Sequence, residues 1–175
     1  IIIGAGSAGM VAGHVLNKYG IDFQILEASS RFGGRVKESQ TFADFPIDLG
    51  AEWIHTNPSI LAKLLDDPTA DGSIDIINYT PETFYLWDDG KLKKRNLAGS
   101  VYGEYKFKSS TWYSFFSEYI VPGISDKISY SNPIKSIDYA GNKVLVTTET
   151  NDVHEADRVI VTVPLTMLQN GSIDF

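Results

Sequence analysis

The opening segment, residues 1–27, constrains the fold more than any other part of the chain. It reads as an apolar strand at residues 1–3, the glycine pattern Gly4-Ala5-Gly6-Ser7-Ala8-Gly9, a helix, and a second strand at residues 23–26 that ends at Glu27. In such a pattern the first glycine permits a tight turn, the second lets the backbone approach a pyrophosphate, and the third lets the helix pack close to the strand. The segment therefore predicts a nucleotide-binding βαβ unit.

Two features of this unit indicate which nucleotide it binds. The helix N-terminus that follows the glycines offers free N–H groups and a positive dipole to phosphates. Glu27 stands about twenty residues beyond the glycines, where a carboxylate can accept hydrogen bonds from both ribose hydroxyls of an adenosine. A carboxylate there argues against a 2′-phosphate, which would need an arginine. The glycines alone could be a plain strand-to-helix turn, but the ordered elements favour a dinucleotide site.

The helix of this unit is predicted to bury an apolar side. Its apolar residues follow the i, i+3, i+4, i+7 spacing of one helical face. They are Ala8, Val11, Ala12, Val15, Leu16 and Tyr19. Gly20 is predicted to end the helix, because glycine adopts the left-handed conformation found just beyond helix C-termini.

Three further blocks carry a family resemblance. Residues 27–35 (EASSRFGGR) resemble the E-A-x-x-R-x-G-G-R segment of FAD-dependent amine oxidases, and residues 48–55 (DLGAEWIH) resemble the next block of that family. Residues 156–165 (ADRVIVTVPL) resemble its strand that returns to the FAD domain. This family includes monoamine, polyamine and L-amino-acid oxidases and the flavin histone demethylases. More distant relatives, such as carotenoid desaturases and protoporphyrinogen oxidases, share the first block and less of the second.

The resemblance implies non-covalent FAD, because the chain has no cysteine to which a flavin could be attached. It assigns pyrophosphate contacts to the glycine turn with Ser7 and Ala8, and the ribose to Glu27. Arg31 is expected either at the ribose or adenine, or in an ion pair with Glu38 or Asp48. Arg35 is expected to offset phosphate charge, and an ion pair with Glu38 or Asp48 is the alternative. The other implied cofactor residues are Ala28, Gly33, Gly34, Gly50, Ala51, Glu52, Trp53, Ile134 and Val163. His55 is the one catalytic candidate, facing the substrate, and a structural histidine is the alternative.

The implied reaction is oxidation of an amine C–N bond by hydride transfer to flavin, with oxygen as acceptor. Because the cofactor carries this chemistry, the absence of an evident acid, base or nucleophile is expected. The family lysine near the reactive flavin nitrogen is expected beyond residue 175. The alternatives are another flavoenzyme of the superfamily, such as a desaturase or protoporphyrinogen oxidase, and a flavin-binding fragment without turnover.

Composition limits the partners. The 175 residues carry a net charge of −7, which disfavours nucleic acid because phosphate binding needs a basic face. The expected partner is a small-molecule amine. The sequence shows no metal motif and no apolar run long enough to span a membrane. It does not decide the oligomeric state or the compartment, for which the cytoplasm is slightly favoured.

The predicted fold is α/β, with a Rossmann-like parallel FAD-binding sheet, a β-meander and part of an α+β substrate domain. The FAD domain is assigned to 1–57 and 132–175, and the partial substrate domain to 58–131. The chain is interpreted as an N-terminal portion of a larger enzyme. Residues 106–111 fit the family pattern poorly, and the sequence does not decide whether residues are missing there.

Several local elements are also predicted. A hairpin is expected over 84–95 around Asp88-Asp89-Gly90, because Asp-Gly favours the tight turn that joins paired strands. Trp112, Phe115, Phe116 and Tyr119 are spaced for one face of a core helix, with an aromatic substrate channel as the alternative. Strands are expected at 134–139, 143–149 and 153–163.

Overall fold

A computed structural model describes residues 1–67, 74–79, 83–96 and 104–175. The chain divides into two compact units. Unit 1 contains Ile1–Ala51 and Trp112–Phe175, and unit 2 contains Glu52–Thr111. The predicted domain boundaries, at 57/58 and 131/132, differ from these. The segment 112–131 belongs to unit 1 because it includes a strand of that unit's central sheet.

The centre of unit 1 is a four-stranded parallel sheet, which confirms the predicted sheet type. Its order is β13-β1-β2-β9. The strands are β1 (Ile2–Ile3), β2 (Ile25–Leu26), β9 (Ile128–Ser129) and β13 (Ile160–Val161). Ile2, Ile3, Ile25 and Leu26 are almost completely buried, as continuous apolar strands of a covered parallel sheet should be.

Helix α1 (Ser7–Lys18) crosses from β1 to β2. It ends as predicted, with Gly20 in the left-handed conformation at φ +64°. The predicted buried face is wrong: the buried residues are Gly9, Met10 and Gly13, whereas Tyr19 is 71% exposed. A Cβ on Gly13 would lie 2.9 Å from Ile25 Cδ1. The helix therefore packs through Met10 and two glycines, and a count of apolar side chains does not detect the glycines.

A β-meander lies between β9 and β13 in the chain, as predicted. It consists of β10 (Ile134–Asp138), β11 (Val144–Thr148) and β12 (Val153–Ala156), paired antiparallel in that order. The single strand predicted over 153–163 is wrong, because it is two strands. β12 pairs with β11, whereas β13 pairs with β1 in the parallel sheet. The chain leaves one sheet for the other between them.

The aromatic segment of unit 1 packs in the core, as predicted. It forms a short helix, α3 (Trp112–Phe115), a π-helix (Phe116–Ile120) and two 3₁₀ turns (Val121–Gly123 and Ser125–Lys127). Phe115 and Phe116 are buried, and their rings meet edge to face with centroids 5.6 Å apart. These contacts favour a core role over an aromatic channel.

The remaining elements of unit 1 are short. β3 (Glu38–Ser39) and β4 (Ile47–Asp48) pair antiparallel, and helix α4 (Leu165–Gln169) follows β13. The Ser114 hydroxyl donates to Glu38 Oε2 over 2.7 Å. This bond ties the start of the aromatic segment to the β3–β4 ribbon.

Unit 2 contains one helix and two β-ribbons in its described part. The elements are α2 (Ser59–Leu65), β5 (Ile76–Asn78), β6 (Thr83–Asp88), β7 (Lys91–Asn96) and β8 (Tyr105–Phe107). The predicted hairpin is confirmed as β6–β7, with Asp89 and Gly90 at φ +50° and +70° in its turn. β5 pairs antiparallel with β8. The sequence is rich in Tyr, Phe and Trp from residue 101 to residue 121, and residues 101–103 of this segment lie outside the described residues.

No helix in the described ranges has both the length and the apolar character needed to cross a bilayer. Within those same ranges, no three His, Asp or Glu side chains cluster in a way that could hold a metal ion.

Candidate functional site

The glycine turn joins β1 to α1 at the carboxyl end of the parallel sheet. Gly4 has φ +98°, a conformation that side chains other than glycine's rarely allow. Its N–H donates to Leu26 O over 2.8 Å. The Thr162 hydroxyl lies 2.8 Å from Ile3 O and 3.1 Å from Gly4 O, to either of which it can donate. The turn is thus attached to the strands on both sides of β1.

Gly9 lies where the helix passes closest to this turn. A Cβ on Gly9 would lie 1.9 Å from the Gly4 carbonyl oxygen and 2.9 Å from Thr162 Oγ1. No side chain can occupy that space without moving the backbone. The geometry therefore accounts for the third glycine in the way the pattern predicts.

Gly6 faces open space instead. A Cβ on Gly6 would meet no protein atom within 4 Å. Helix α1 begins directly after it, with no side-chain cap and no acidic residue in its first turn. Met10 makes the first helical hydrogen bond, to Gly6 O over 2.9 Å, so the N–H groups of Ala8 and Gly9 have no acceptor within the helix. This is a cradle in which a group with negative charge would be stabilised.

Glu27 follows β2 at the same edge of the sheet, and the protein holds its carboxylate in place. Oε2 accepts a hydrogen bond from the Ala5 N–H over 2.6 Å. Oε1 accepts from the Ser29 N–H over 2.9 Å and from the Ser29 hydroxyl over 2.6 Å. A carboxylate has about four acceptor positions, so the fixed group keeps acceptor capacity for a ligand. The ribose contact itself stays a prediction.

Arg31 makes contacts that neither interpretation of its sequence foresaw. Its guanidinium donates to the carbonyls of Phe32 (2.9 Å), Gly34 (2.9 Å) and Val36 (3.3 Å). It forms no ion pair with Glu38 or Asp48. In the structure it therefore braces the turn that contains the double glycine.

That turn brings the double glycine against the glycine turn. Gly33 donates to Ala5 O over 2.8 Å, and a Cβ on Gly34 would lie 3.3 Å from Gly6 Cα. Both have positive φ, at +100° and +56°. The backbone of this second loop thus borders the open space beside Gly6.

Arg35, the next residue, has an exposed side chain. Its guanidinium has no hydrogen bond or ion pair with any residue that the structure describes. The Arg35 main chain is closely packed, because a Cβ on Gly50 would lie 2.0 Å from the Arg35 carbonyl oxygen. A charged group on a fixed backbone, with no protein partner in the described ranges, suits recognition of a phosphate.

The other candidates in unit 1 are spread over several segments. Ala28 and Ala51 are exposed, and Ile134 is 7% exposed. Ile134 belongs to a buried cluster with Ile3 and Leu26, against which Val163 packs. Ile134 and Val163 are thus anchored to the strands that lead into the glycine turn and Glu27.

Three candidates belong to unit 2. Lys106 Nζ forms an ion pair with Glu52 and lies 5.1 Å from the centroid of the Trp53 ring. His55 is 70% exposed, and its Nδ1 lies 2.9 Å from Glu104 Oε2. Their alignment is not that of a hydrogen bond, so the contact is an ion pair when the imidazole is protonated.

Residues that the sequence analysis did not single out also position the site. Thr162 holds the glycine turn, Ser29 holds Glu27, and Tyr113 stacks on Phe32 with ring centroids 4.6 Å apart. A hydroxyl near the end of the strand predicted over 153–163 was the available signal for Thr162. No local pattern indicates Tyr113, which is distant in sequence from the loop it packs against.

These arrangements fit a dinucleotide. The cradle beside Gly6, the fixed carboxylate of Glu27 and the free guanidinium of Arg35 all belong to unit 1. They supply N–H groups and positive charge for a pyrophosphate and acceptors for hydroxyls. The site lies at the carboxyl ends of parallel strands, where open α/β sheets bind their ligands.

Comparison with protein families agrees with this geometry. The family model described as flavin containing amine oxidoreductase matches residues 7–117 and 117–175. The match divides at residue 117, inside the π-helix, a few residues after the segment 106–111 that fits the family pattern poorly. The alignment to the first relative below spans 254 positions, so it includes positions at which this chain has no residue.

Individual relatives are histone demethylases and polyamine oxidases. Human lysine-specific histone demethylase 2 is 26% identical over 254 positions, which cover 100% of this chain and 31% of the relative. Polyamine oxidase 3 of Oryza sativa subsp. japonica is 42% identical over 97 positions, covering 50% of this chain and 20% of the relative. Polyamine oxidase 2 of Arabidopsis thaliana is 32% identical over 111 positions, covering 58% of this chain and 22% of the relative. The chain spans about a third or less of these relatives.

Proposed function

The chain belongs to the flavin-containing amine oxidoreductases, and from this we propose that it supplies the FAD-binding part of an enzyme that oxidises an amine at a C–N bond. The observation that carries the proposal is the cradle beside Gly6, which lies next to the anchored carboxylate of Glu27 in a chain that the family model matches from residue 7 to residue 175. The substrate is a small-molecule amine and oxygen is the electron acceptor.

The residues of unit 1 divide the binding of FAD among them. The first-turn N–H groups of α1 and the backbone beside Gly6 hold the pyrophosphate, and Arg35 offsets its charge. Glu27 accepts hydrogen bonds from the ribose of the adenosine. Gly34 carries no side chain where its loop borders the open space beside Gly6. A Cβ there would lie 3.3 Å from Gly6 Cα and would narrow the space proposed for the cofactor.

The chemistry belongs to the cofactor. Bound FAD would supply a two-electron oxidation at the carbon next to the amine nitrogen, by hydride transfer, and water would hydrolyse the imine product. The chain has no cysteine, so we propose that FAD is held without a covalent bond. The residues from Gly50 to Trp53 are proposed to lie along the flavin ring, mainly through backbone atoms.

The proposal is tested with the visible absorption spectrum of the full-length protein. We expect a flavin spectrum that is lost on precipitation of the protein with acid, because non-covalent FAD then stays in solution. Anaerobic addition of an amine panel, containing monoamines, polyamines and a methyl-lysine peptide, should bleach this spectrum with at least one member. Oxygen should then restore it.

The other outcomes separate the alternatives. A flavin spectrum that no amine bleaches would refute amine oxidation and favour a desaturase-like or protoporphyrinogen-oxidase-like activity. If the full-length protein turns over but residues 1–175 alone bind FAD without turnover, this chain is a binding part of the enzyme. A full-length protein that takes up no FAD would refute the whole proposal.

His55 is proposed to contact the amine substrate. Its imidazole is 70% exposed and lies beside the Glu104 carboxylate, so a ligand can reach the ring. We expect His55→Ala to lower kcat/KM for the best amine by about tenfold, with an unchanged Kd for FAD. Steady-state kinetics and a flavin titration measure the two quantities.

Glu104→Gln is the matched control for His55. It removes the charge beside the imidazole but keeps the ring, so it should lower kcat/KM less than His55→Ala does. A His55→Ala variant with wild-type kinetics would show that this histidine has no role at the substrate. If His55→Ala lowers the unfolding free energy but leaves kcat/KM unchanged, the role of His55 is structural.

A further inference from the structure

Four residues follow the four strands of the parallel sheet at one edge. Gly4 follows β1, Glu27 follows β2, Thr162 follows β13 and Tyr130 follows β9. All four strands run in the same direction, so these residues come together where such sheets bind ligands. Three of them already have a place in the site, and Tyr130 has none.

The backbone holds Tyr130 beside Glu27. Leu26 is paired with Ser129 in the ladder of β2 and β9, so Glu27 and Tyr130 are the next residues on adjacent strands. The Glu27 N–H donates to Ser129 O over 2.9 Å, and the Asn132 N–H donates to Glu27 O over 2.8 Å. These two bonds enclose Tyr130 and fix its main chain against that of Glu27.

The Tyr130 side chain is half-buried, and its hydroxyl has no hydrogen-bond partner among the residues that the structure describes. Partial burial raises the pKa of this phenol, and the nearby Tyr113 and Glu27 raise it further. The hydroxyl therefore stays protonated at neutral and mildly alkaline pH. It is a donor that lies within electrostatic range of an acceptor, the Glu27 carboxylate.

We propose that Tyr130 is a further binding residue for the adenosine part of the cofactor, where its hydroxyl donates to a ribose hydroxyl that in turn donates to Glu27. A ribose hydroxyl is both a donor and an acceptor. The ionised Glu27 can only accept, so it satisfies half of that capacity. The neutral Tyr130 supplies the missing donor. This inference rests on the proposed FAD site.

The test compares the full-length protein with its Tyr130→Phe variant, both freed of flavin. The variant keeps the ring and loses only the hydroxyl, so it should fold normally. We expect the Kd for FAD, measured by flavin fluorescence, to rise roughly two- to tenfold, the effect of one neutral hydrogen bond. The Kd for ADP, measured by calorimetry, should rise by the same factor because the contact lies in the adenosine half.

Tyr139→Phe is the matched control. Tyr139 is 65% exposed and directly follows β10, which belongs to the β-meander and not to the parallel sheet, so its variant should bind both ligands as the wild type does. Unchanged binding of FAD by Tyr130→Phe would overturn the inference and leave the proposed function intact. Weaker FAD binding with unchanged ADP binding would also overturn it. A wild type that binds no FAD would overturn the proposed function as well.

Discussion

Gly9→Ala should abolish FAD binding and destabilise unit 1. The added methyl group would lie 1.9 Å from the Gly4 carbonyl oxygen and 2.9 Å from Thr162 Oγ1, so either α1 or the glycine turn must move. Overpacking of a tight contact costs about 3 kcal/mol of unfolding free energy. The turn that moves is the one proposed to hold the pyrophosphate. Denaturant unfolding and a flavin titration of the same preparation measure the two effects.

Gly6→Ala is the matched control, because it adds the same methyl group three residues earlier, where the space is open. Gly6 has φ −71°, which alanine adopts without strain, and its Cβ would meet nothing within 4 Å. We expect its unfolding free energy to change by less than about 0.5 kcal/mol, with a loss of FAD affinity of at least about tenfold. Equal stability losses in the two variants would contradict this account of the glycines.

The part of the site that sequence predicts well is the part built from neighbouring residues. The strand, glycine turn and α1 follow one another in sequence, and each glycine has a local reason, as the contrast between Gly6 and Gly9 shows. The β6–β7 hairpin is predicted for the same reason, because its turn residues determine its geometry. In such segments the contacts that determine the structure are between sequence neighbours, so the local pattern is enough to predict them.

The features that sequence analysis misplaced depend on contacts between distant residues. The buried face of α1 is set by Ile25 and Phe23, which leave room only for Gly13. Arg31 was expected either at a ligand or in an ion pair with Glu38 or Asp48. Carbonyls of its own loop take the place of that ion pair, and the ligand contact stays a prediction. The break between β12 and β13 arises because the chain must reach β1, and no residue at the break marks that requirement.

Glu27→Ala should have the largest effect on cofactor affinity among substitutions that leave the glycines intact. The carboxylate is proposed to accept hydrogen bonds from the ribose, and hydrogen bonds to a charged group are stronger than neutral ones. It also accepts from the Ala5 N–H over 2.6 Å, so the variant leaves a donor of the glycine turn unpaired. Together these losses should raise the Kd for FAD by about 100-fold, measured by flavin fluorescence.

Glu27→Gln separates the two roles of this side chain. The amide oxygen can still accept from Ala5, whereas the amide nitrogen cannot accept from a ribose hydroxyl or from Ser29. We therefore expect the unfolding free energy of Glu27→Gln to stay within about 1 kcal/mol of the wild-type value. Its Kd values for FAD and for ADP should nevertheless rise by equal factors. If Glu27→Gln bound both ligands normally while Glu27→Ala did not, the carboxylate would act only by fixing the turn. The ribose would then have to be recognised by other groups, because an anionic acceptor would contribute nothing to its binding.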